Sequence, residues 1–394
     1  MTASPGSTQI SSSVPTTASL TPLLQAAWQD RTDLSLGDFH DEQIRWAIES
    51  GLGPLLRRST AADSAARRSP LWALVEGADL TARVNAEEQQ SALAEIIVAC
   101  EGRTPTLTLL KGMSICTQHY PEPHLRPMRD IDILVDQSAV PVVEARLRQL
   151  GYYQPAAYPP EWLAGSHHIA PLFHPGKAIW VEVHRALFSA DSEVSSDRVF
   201  GPGCLRSEVS SSECQGRPVN RLSDELQFVY IATHWALKFQ RVGGMIAMLD
   251  LIYLLRNASA LRWERIFDWL NGSVASAYVY LLISYLDRHK LVDIEPGVLR
   301  GLFTSQRSFG RTNLAILHAL LDHYVIDGRE FGWLVNARNV DRVWRSLLLS
   351  GPPSRNVLLA LWNLLPYRST LMGSLSQSAV VKARLRQTGH PDGL

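Results

Sequence analysis

The chain has 394 residues, with 38 Lys plus Arg against 38 Asp plus Glu, and 46% hydrophobic and 19% charged residues. This balance describes a soluble globular protein of about two or three domains, and it excludes a nucleic-acid binder whose affinity rests on a globally basic charge. Four cysteines (Cys100, Cys116, Cys204 and Cys214) form no C-x-x-C pair and no zinc spacing with histidine, so they read as reduced thiols of a cytoplasmic protein.

Residues 1–20 are rich in Ser and Thr and lack a basic start and an apolar stretch; they read as a disordered tail, not a signal peptide. Residues 21–103 read as a helical cap. Phe39, Ile44, Trp46, Ala47, Ile48 and Leu52 fall at roughly helical spacing. A second helix is predicted to begin near Ser69-Pro70 and a third to span 86–100, where Glu87 and Glu88 suit the dipole of its first turn.

From 104 to 215 the pattern alternates: strand 107–110, helix 113–120, strand 130–135, helix 139–150, a stop at Gly151-Tyr152, and strand 178–184. Glu144 and Arg148 are expected to pair on the exposed face of the second of these helices. Residues 216–375 read as all-helical, with helices over 224–239, 245–255, 263–270, 274–289, 314–324, 340–349 and 356–365, whose tryptophans belong to the core. Residues 376–394 form a basic tail with Lys382, Arg384 and Arg386. The apolar run 357–365 is too short to span a bilayer and stops at Pro366. The fold class expected is α+β: a small mixed β-sheet with an N-terminal helical cap and a C-terminal all-helical domain.

The chemistry concentrates on two strands. In a strand, positions i and i+2 share a face, so Asp130 and Asp132 point one way and Ile131 and Ile133 the other. Two carboxylates side by side are costly unless solvated or neutralised by a cation. The same alternation puts Trp180, Glu182 and His184 on one face of the strand 178–184. A D-x-D, a third acid on a neighbouring strand and nearby bases are the parts of a two-metal phosphoryl- or nucleotidyl-transfer site. Asp130, Asp132 and Glu182 are therefore the expected catalytic metal ligands, with Glu182 also placed to accept a hydroxyl proton. His167, His168, His174 and His184 are too irregularly spaced for zinc; His184, sharing the Glu182 face, is expected to orient a neighbour or touch substrate.

The run Leu109-Leu110-Lys111-Gly112, the block from Arg126-Pro127-Met128 through Asp130-Ile131-Asp132-Ile133-Leu134-Val135, and the Leu150-Gly151-Tyr152 step resemble an uncharacterised nucleotidyltransferase family. That family lies within the DNA polymerase β-like nucleotidyltransferase superfamily. The His167-His168 pair, the Val181-Glu182-Val183-His184 strand, His234, Asp250 and Trp263-Glu264 continue the resemblance, which covers about 107–270. It implies a sheet of the nucleotidyltransferase type and magnesium-dependent transfer, on two ions, of a nucleoside monophosphate from an NTP to an acceptor. Lys111-Gly112 stands where relatives place a Gly-Ser turn at a helix start, a site for phosphate. Gly112 would permit close backbone approach, Lys111 would add a point charge, Ser114 would replace the absent serine, and Arg126 would clamp phosphate.

The chain departs from the family pattern at Arg129, which replaces a small residue and faces either steric crowding or a phosphate contact, and at Glu182, where many relatives use Asp. The acceptor is left open among a small molecule, a peptide and tRNA, the last not indicated by net charge. Two alternatives stand beside transfer of the nucleotide: a non-catalytic scaffold with a degenerate site, and transfer of the γ-phosphate.

Overall fold

The computed structural model describes residues 19–61, 68–238, 244–258, 261–306 and 308–322, together with 325, 344, 347 and 348. Nearly all of the expected N-terminal tail, most of the helix expected over 340–349, and the whole of the helix over 356–365 and the basic tail lie outside the described residues. Within them the fold is α+β, a six-stranded mixed sheet set among helices, as expected. No helix of the described residues is long and apolar enough to cross a membrane.

The N-terminal helices are α1 (Thr21–Gln29), α2 (Asp41–Glu49), α3 (Gly53–Ser59) and α4 (Trp72–Cys100). The two helices expected within 69–100 are one helix of 29 residues. No proline interrupts it, and a single interior glycine, Gly77, costs only about 1 kcal/mol relative to alanine. The helix is held at both ends by different partners. Trp72 and Val75 join a core shared with α1–α3, whereas Ala92, Leu93, Ile96, Ile97 and Cys100 pack beneath the sheet.

The sheet comprises β1 (Thr108–Leu109), β2 (Asp130–Leu134), β3 (Leu172–His174), β4 (Ile179–His184), β5 (Val209–Cys214) and β6 (Arg217–Leu222), in the order β3-β4-β2-β1-β6-β5. β2 runs parallel to β4 and antiparallel to β1, and β1 runs parallel to β6. The connections are α5 (Lys111–Gln118) after β1, α6 (Val140–Gln149) and α7 (Pro160–Gly165) between β2 and β3, and α8 (Pro202–Ser207) before β5. Glu144 and Arg148 form the expected exposed pair on α6, at 2.6 Å. Gly151 ends that segment with φ of 95°, a left-handed conformation in which glycine has no Cβ penalty.

The hairpin β5–β6 was not expected, and it carries the sheet past residue 215, where the C-terminal domain was drawn. Its turn places Gln215 and Gly216 at φ of 51° and 72°, two left-handed residues that match the twist of a two-residue hairpin loop. Cys204 and Cys214 are free thiols, like the other two.

After the sheet come α9 (Asp224–Lys238), α10 (Gly244–Asn257), α11 (Trp263–Leu270), α12 (Ala275–Arg288), α13 (Pro296–Ser305) and α14 (Arg311–Leu321). The two faces of the sheet meet different layers. Ile131, Ile133, Leu109, Val181, Val183 and Val219 pack on α4 and α6. On the other face Leu110, Leu134 and Leu222 join one large core built by the N-terminal and C-terminal helices together. The acids of β2 and β4 lie on this second face, so the helical layer closes over them.

Candidate active site

Register brings the acids together. β2 and β4 pair Asp130 with Trp180, Asp132 with Glu182 and Leu134 with His184, so each even-numbered residue of β2 has its β4 neighbour on the same face. One ligand atom each from Asp132, Glu182 and His184 lies within 4.8 Å of the others, an arrangement able to hold a metal ion. Asp130 stands one pleat away, half-buried at the start of β2. The trio closest in space thus contains His184, which the sequence assigned to substrate or positioning, in place of Asp130.

Asp132 is buried and its Oδ1 has two neighbours. His184 donates from Nε2 at 2.6 Å, and the Lys111 ammonium lies at 3.4 Å. Burial opposes the charge on Asp132, but Lys111, the His184 hydrogen bond and His234 outweigh it and hold the carboxyl far below its ordinary range. Burial likewise favours a neutral Lys111 amine; the carboxylates of Asp132, Glu182 and Asp130 reverse that and keep the ammonium charged. His184, fully buried, is pushed down and stays a neutral imidazole that donates to Asp132.

Lys111 reaches the site from an uncommon backbone. It opens α5 with φ of 41°, a region costly for a residue with a Cβ and found mainly where surrounding structure enforces it. The next residue must be glycine for a packing reason. A Cβ on Gly112 would lie 2.5 Å from Arg126 Nη1 and 2.6 Å from Met128 Sδ. Arg126 and Met128 therefore rest directly on the backbone of the turn.

Arg126 itself is held by α10. Its Nε and Nη2 donate to the two oxygens of Asp250, each at 2.9 Å, and the Tyr120 hydroxyl donates to Oδ1 at 2.6 Å. Ser114 is fully buried and donates to Gln227 of α9 at 2.9 Å, away from the carboxylates. Arg129 is exposed. Among the expected residues, then, Lys111, Asp132, Glu182 and His184 converge, with Asp130 adjoining. Gly112 and Arg126 form the support beneath the turn, and Ser114 and Arg129 stand apart.

The histidines extend the cluster. His168 bridges to His184 across the strand edge, and its Nε2 lies 3.7 Å from Glu182 Oε2. The rings of His167 and His168 lie 5.1 and 5.2 Å from that of His184. His174, by contrast, packs edge-on against Tyr152 at 5.0 Å and faces Gly151. Tyr230, which the sequence did not single out, is buried beside Lys111 and Asp132, and burial pushes its hydroxyl up to about 12, so it remains a neutral phenol. The available signal was its spacing: Tyr230 and His234 are i, i+4 on α9 and share a face, their rings 5.9 Å apart.

The donor set suits a hard or borderline divalent cation. Asp132 and Glu182 supply carboxylate oxygen, as magnesium and manganese prefer; the His184 Nε2 facing them carries the proton given to Asp132, so it braces the carboxylate here and would join the ligands only on giving up that proton. Both protein contacts to Asp132 fall on Oδ1, so neither uses Oδ2.

Comparison with curated proteins gives no match. The model of one family, the uncharacterised nucleotidyltransferases, matches residues 40–319, a span that includes α2, the whole sheet, every residue of the cluster and most of the helical layer above it. The chain belongs to this uncharacterised nucleotidyltransferase family, and its fold and enzyme class are those of a nucleotidyltransferase.

Proposed function

We propose that the protein transfers a nucleoside monophosphate from an NTP to an acceptor hydroxyl or phosphate, with magnesium, in the cytoplasm where its four thiols stay reduced. The observation that carries this reading is the buried group Asp132, Glu182 and His184 with the Lys111 ammonium beside it. Asp130, Asp132 and Glu182 would hold two magnesium ions, which when bound would neutralise the triphosphate and stabilise the entering and leaving oxygens.

The residues of the chain do the rest. Lys111, at the turn into α5, attracts the β- and γ-phosphates. The amides of that turn, fixed from below by Arg126 and Met128, favour the same charge. His184 holds the Asp132 carboxylate in one orientation, as hydrogen-bonded neighbours of ligands do. The acceptor oxygen bonds to the α-phosphorus, the bond from that phosphorus to the bridging oxygen breaks, and pyrophosphate leaves. Glu182 takes the proton of an attacking hydroxyl. Domain roles follow: a sheet domain near 104–215 extended by β6, and helical layers from both ends of the chain closing over it.

The test is the double substitution Asp130→Asn with Asp132→Asn, followed with α- and γ-labelled ATP, GTP, CTP and UTP. Loss of turnover by at least 100-fold with an unchanged circular dichroism spectrum is expected, and the α label should pass to the acceptor. Unchanged turnover ends the proposal. Passage of the γ label establishes phosphotransfer instead, and absence of magnesium-dependent NTP binding by calorimetry establishes a scaffold.

A further inference from the structure

A cavity of about 690 Å³ lies on the same sheet face as the carboxylates but beyond them. Its position follows from strand direction. β1 runs antiparallel to β2, with Thr108 beside Leu134 and the amide of Leu110 bonded to Asp132. The Lys111-Gly112 turn is therefore at the Asp130 end of β2. Thr108, Leu134 and Asn220, all on the carboxylate face, line the cavity at the opposite end. His167, whose ring lies 5.1 Å from that of His184, lines it too and marks where it meets the cluster.

In-line displacement requires the entering oxygen and the leaving oxygen on opposite sides of phosphorus. If pyrophosphate leaves toward Lys111, the acceptor arrives from the Leu134 end. We infer that this cavity is the acceptor pocket, and that it takes a small organic molecule with an apolar or aromatic body, an anionic group and the oxygen that attacks. The inference rests on the nucleotidyl-transfer reading above.

The walls state the chemistry. Phe188, Phe200 and Leu205 supply apolar surface, and Phe188 is fixed by edge contacts with Phe200 at 4.6 Å and Tyr230 at 5.4 Å. Two arginines line the cavity, and they differ. Arg185 spends its guanidinium on the carbonyls of Leu163, Ala164 and Ser166. Arg206, exposed on α8, makes no ion pair among the described residues, so it is the group able to meet an anion. The volume falls within the range of about 300–1,000 Å³ typical of small-molecule sites, which favours a small acceptor over the body of a tRNA.

The experiment uses two probes on the full chain: 8-anilinonaphthalene-1-sulfonate, an aromatic anion read by fluorescence, and the α,β-methylene analogues of ATP, GTP, CTP and UTP with magnesium, read by calorimetry. Two variants set a bulky ring into the lining, Ala190→Trp and Thr106→Trp; both positions are exposed, so the failure of one to fold leaves the other. Arg206→Glu reverses the free charge. The expected result is one sulfonate probe per chain, bound at least tenfold more weakly by each variant. An NTP analogue should bind together with the probe, its affinity unchanged within twofold in all three variants.

Displacement of the probe by an analogue, or a tenfold loss of analogue affinity in the blocked variants, assigns the cavity to the nucleoside and overturns the inference. Failure of the wild type to bind the probe overturns it as well. Binding of the probe with no analogue binding anywhere refutes the nucleotidyl-transfer reading and, with it, the acceptor assignment, while leaving an anion-selective cavity.

Discussion

Replacing Asp250 by alanine tests how the helical layer holds the Lys111-Gly112 turn. The carboxylate receives Arg126 at 2.9 Å from both Nε and Nη2, and the Tyr120 hydroxyl at 2.6 Å. The side chains of Arg126 and Asp250 are 13% and 2% exposed. In Asp250→Ala the guanidinium and the phenol remain buried with their partner gone. Breaking a buried pair on one side costs about 3–5 kcal/mol, whereas replacing both members with apolar residues of similar volume is close to neutral. Urea unfolding followed by tryptophan fluorescence should therefore show a loss of about 3–5 kcal/mol for Asp250→Ala and recovery of most of it in Arg126→Met with Asp250→Leu. A loss under about 1 kcal/mol, the level of an exposed pair, would refute the reading of Arg126 as a buried strut. The functional consequence is local: the guanidinium rests on Gly112, so a folded single variant should raise the KM for NTP more than it lowers kcat.

Gly112→Ala attacks the same contact from below, since its Cβ would stand 2.5 Å from Arg126 Nη1 and 2.9 Å from Met128 Cγ; thermal unfolding should report a loss of about 1–3 kcal/mol, partly restored by Met128→Ala. Stability should also fall on mild acidification through His318, which burial, with help from Arg288, holds down at about 4 against an ordinary 6.5. The unfolded chain takes up this proton near 6.5 and the folded chain near 4, so stability is full above 6.5 and falls between those values, by about 2 kcal/mol at pH 5. His318→Gln should remove that part of the difference between urea midpoints at pH 7.5 and 5, and an unchanged difference counts against it.

The legibility of the sequence tracked the period of its patterns. Asp130-Ile131-Asp132-Ile133 alternates charge and apolar branch without interruption, and Val181-Glu182-Val183-His184 does the same, so strand, face and neighbour were readable. The hairpin was not: Val209 through Glu213 is mostly serine, carries little β propensity, and is a strand because β6 has an edge of β1 to pair with. The resemblance points Ser114 at the phosphate, as the stand-in for the serine that relatives carry in the turn. On a helix it faces inward, where Gln227 of α9 meets it 113 residues later. The pairing of Arg126 with Asp250 spans 124 residues, and nothing local distinguishes an arginine aimed at phosphate from one aimed at a distant carboxylate. Tyr230 and the joining of the two helical ends into one core are long-range outcomes of the same kind.

The carboxylate face is specified twice over, which links the fold to the site. Asp132 is 5% exposed, and an unneutralised carboxylate at that depth costs several kcal/mol. Its counter-charge and its hydrogen-bond donor come from two other elements: Lys111 from the start of α5, after β1, and His184 from the end of β4. A slip of β4 by one residue against β2 would set Val181 or Val183 beside Asp132 and turn Glu182 and His184 into the apolar layer on α4 and α6. That error would bury two polar side chains, strip Asp132 of its donor and move Val181 and Val183 out of their core in one step. The apolar side and the charged side of the sheet therefore select the same register, and the geometry that brings Asp132, Glu182 and His184 together is the geometry that the core requires.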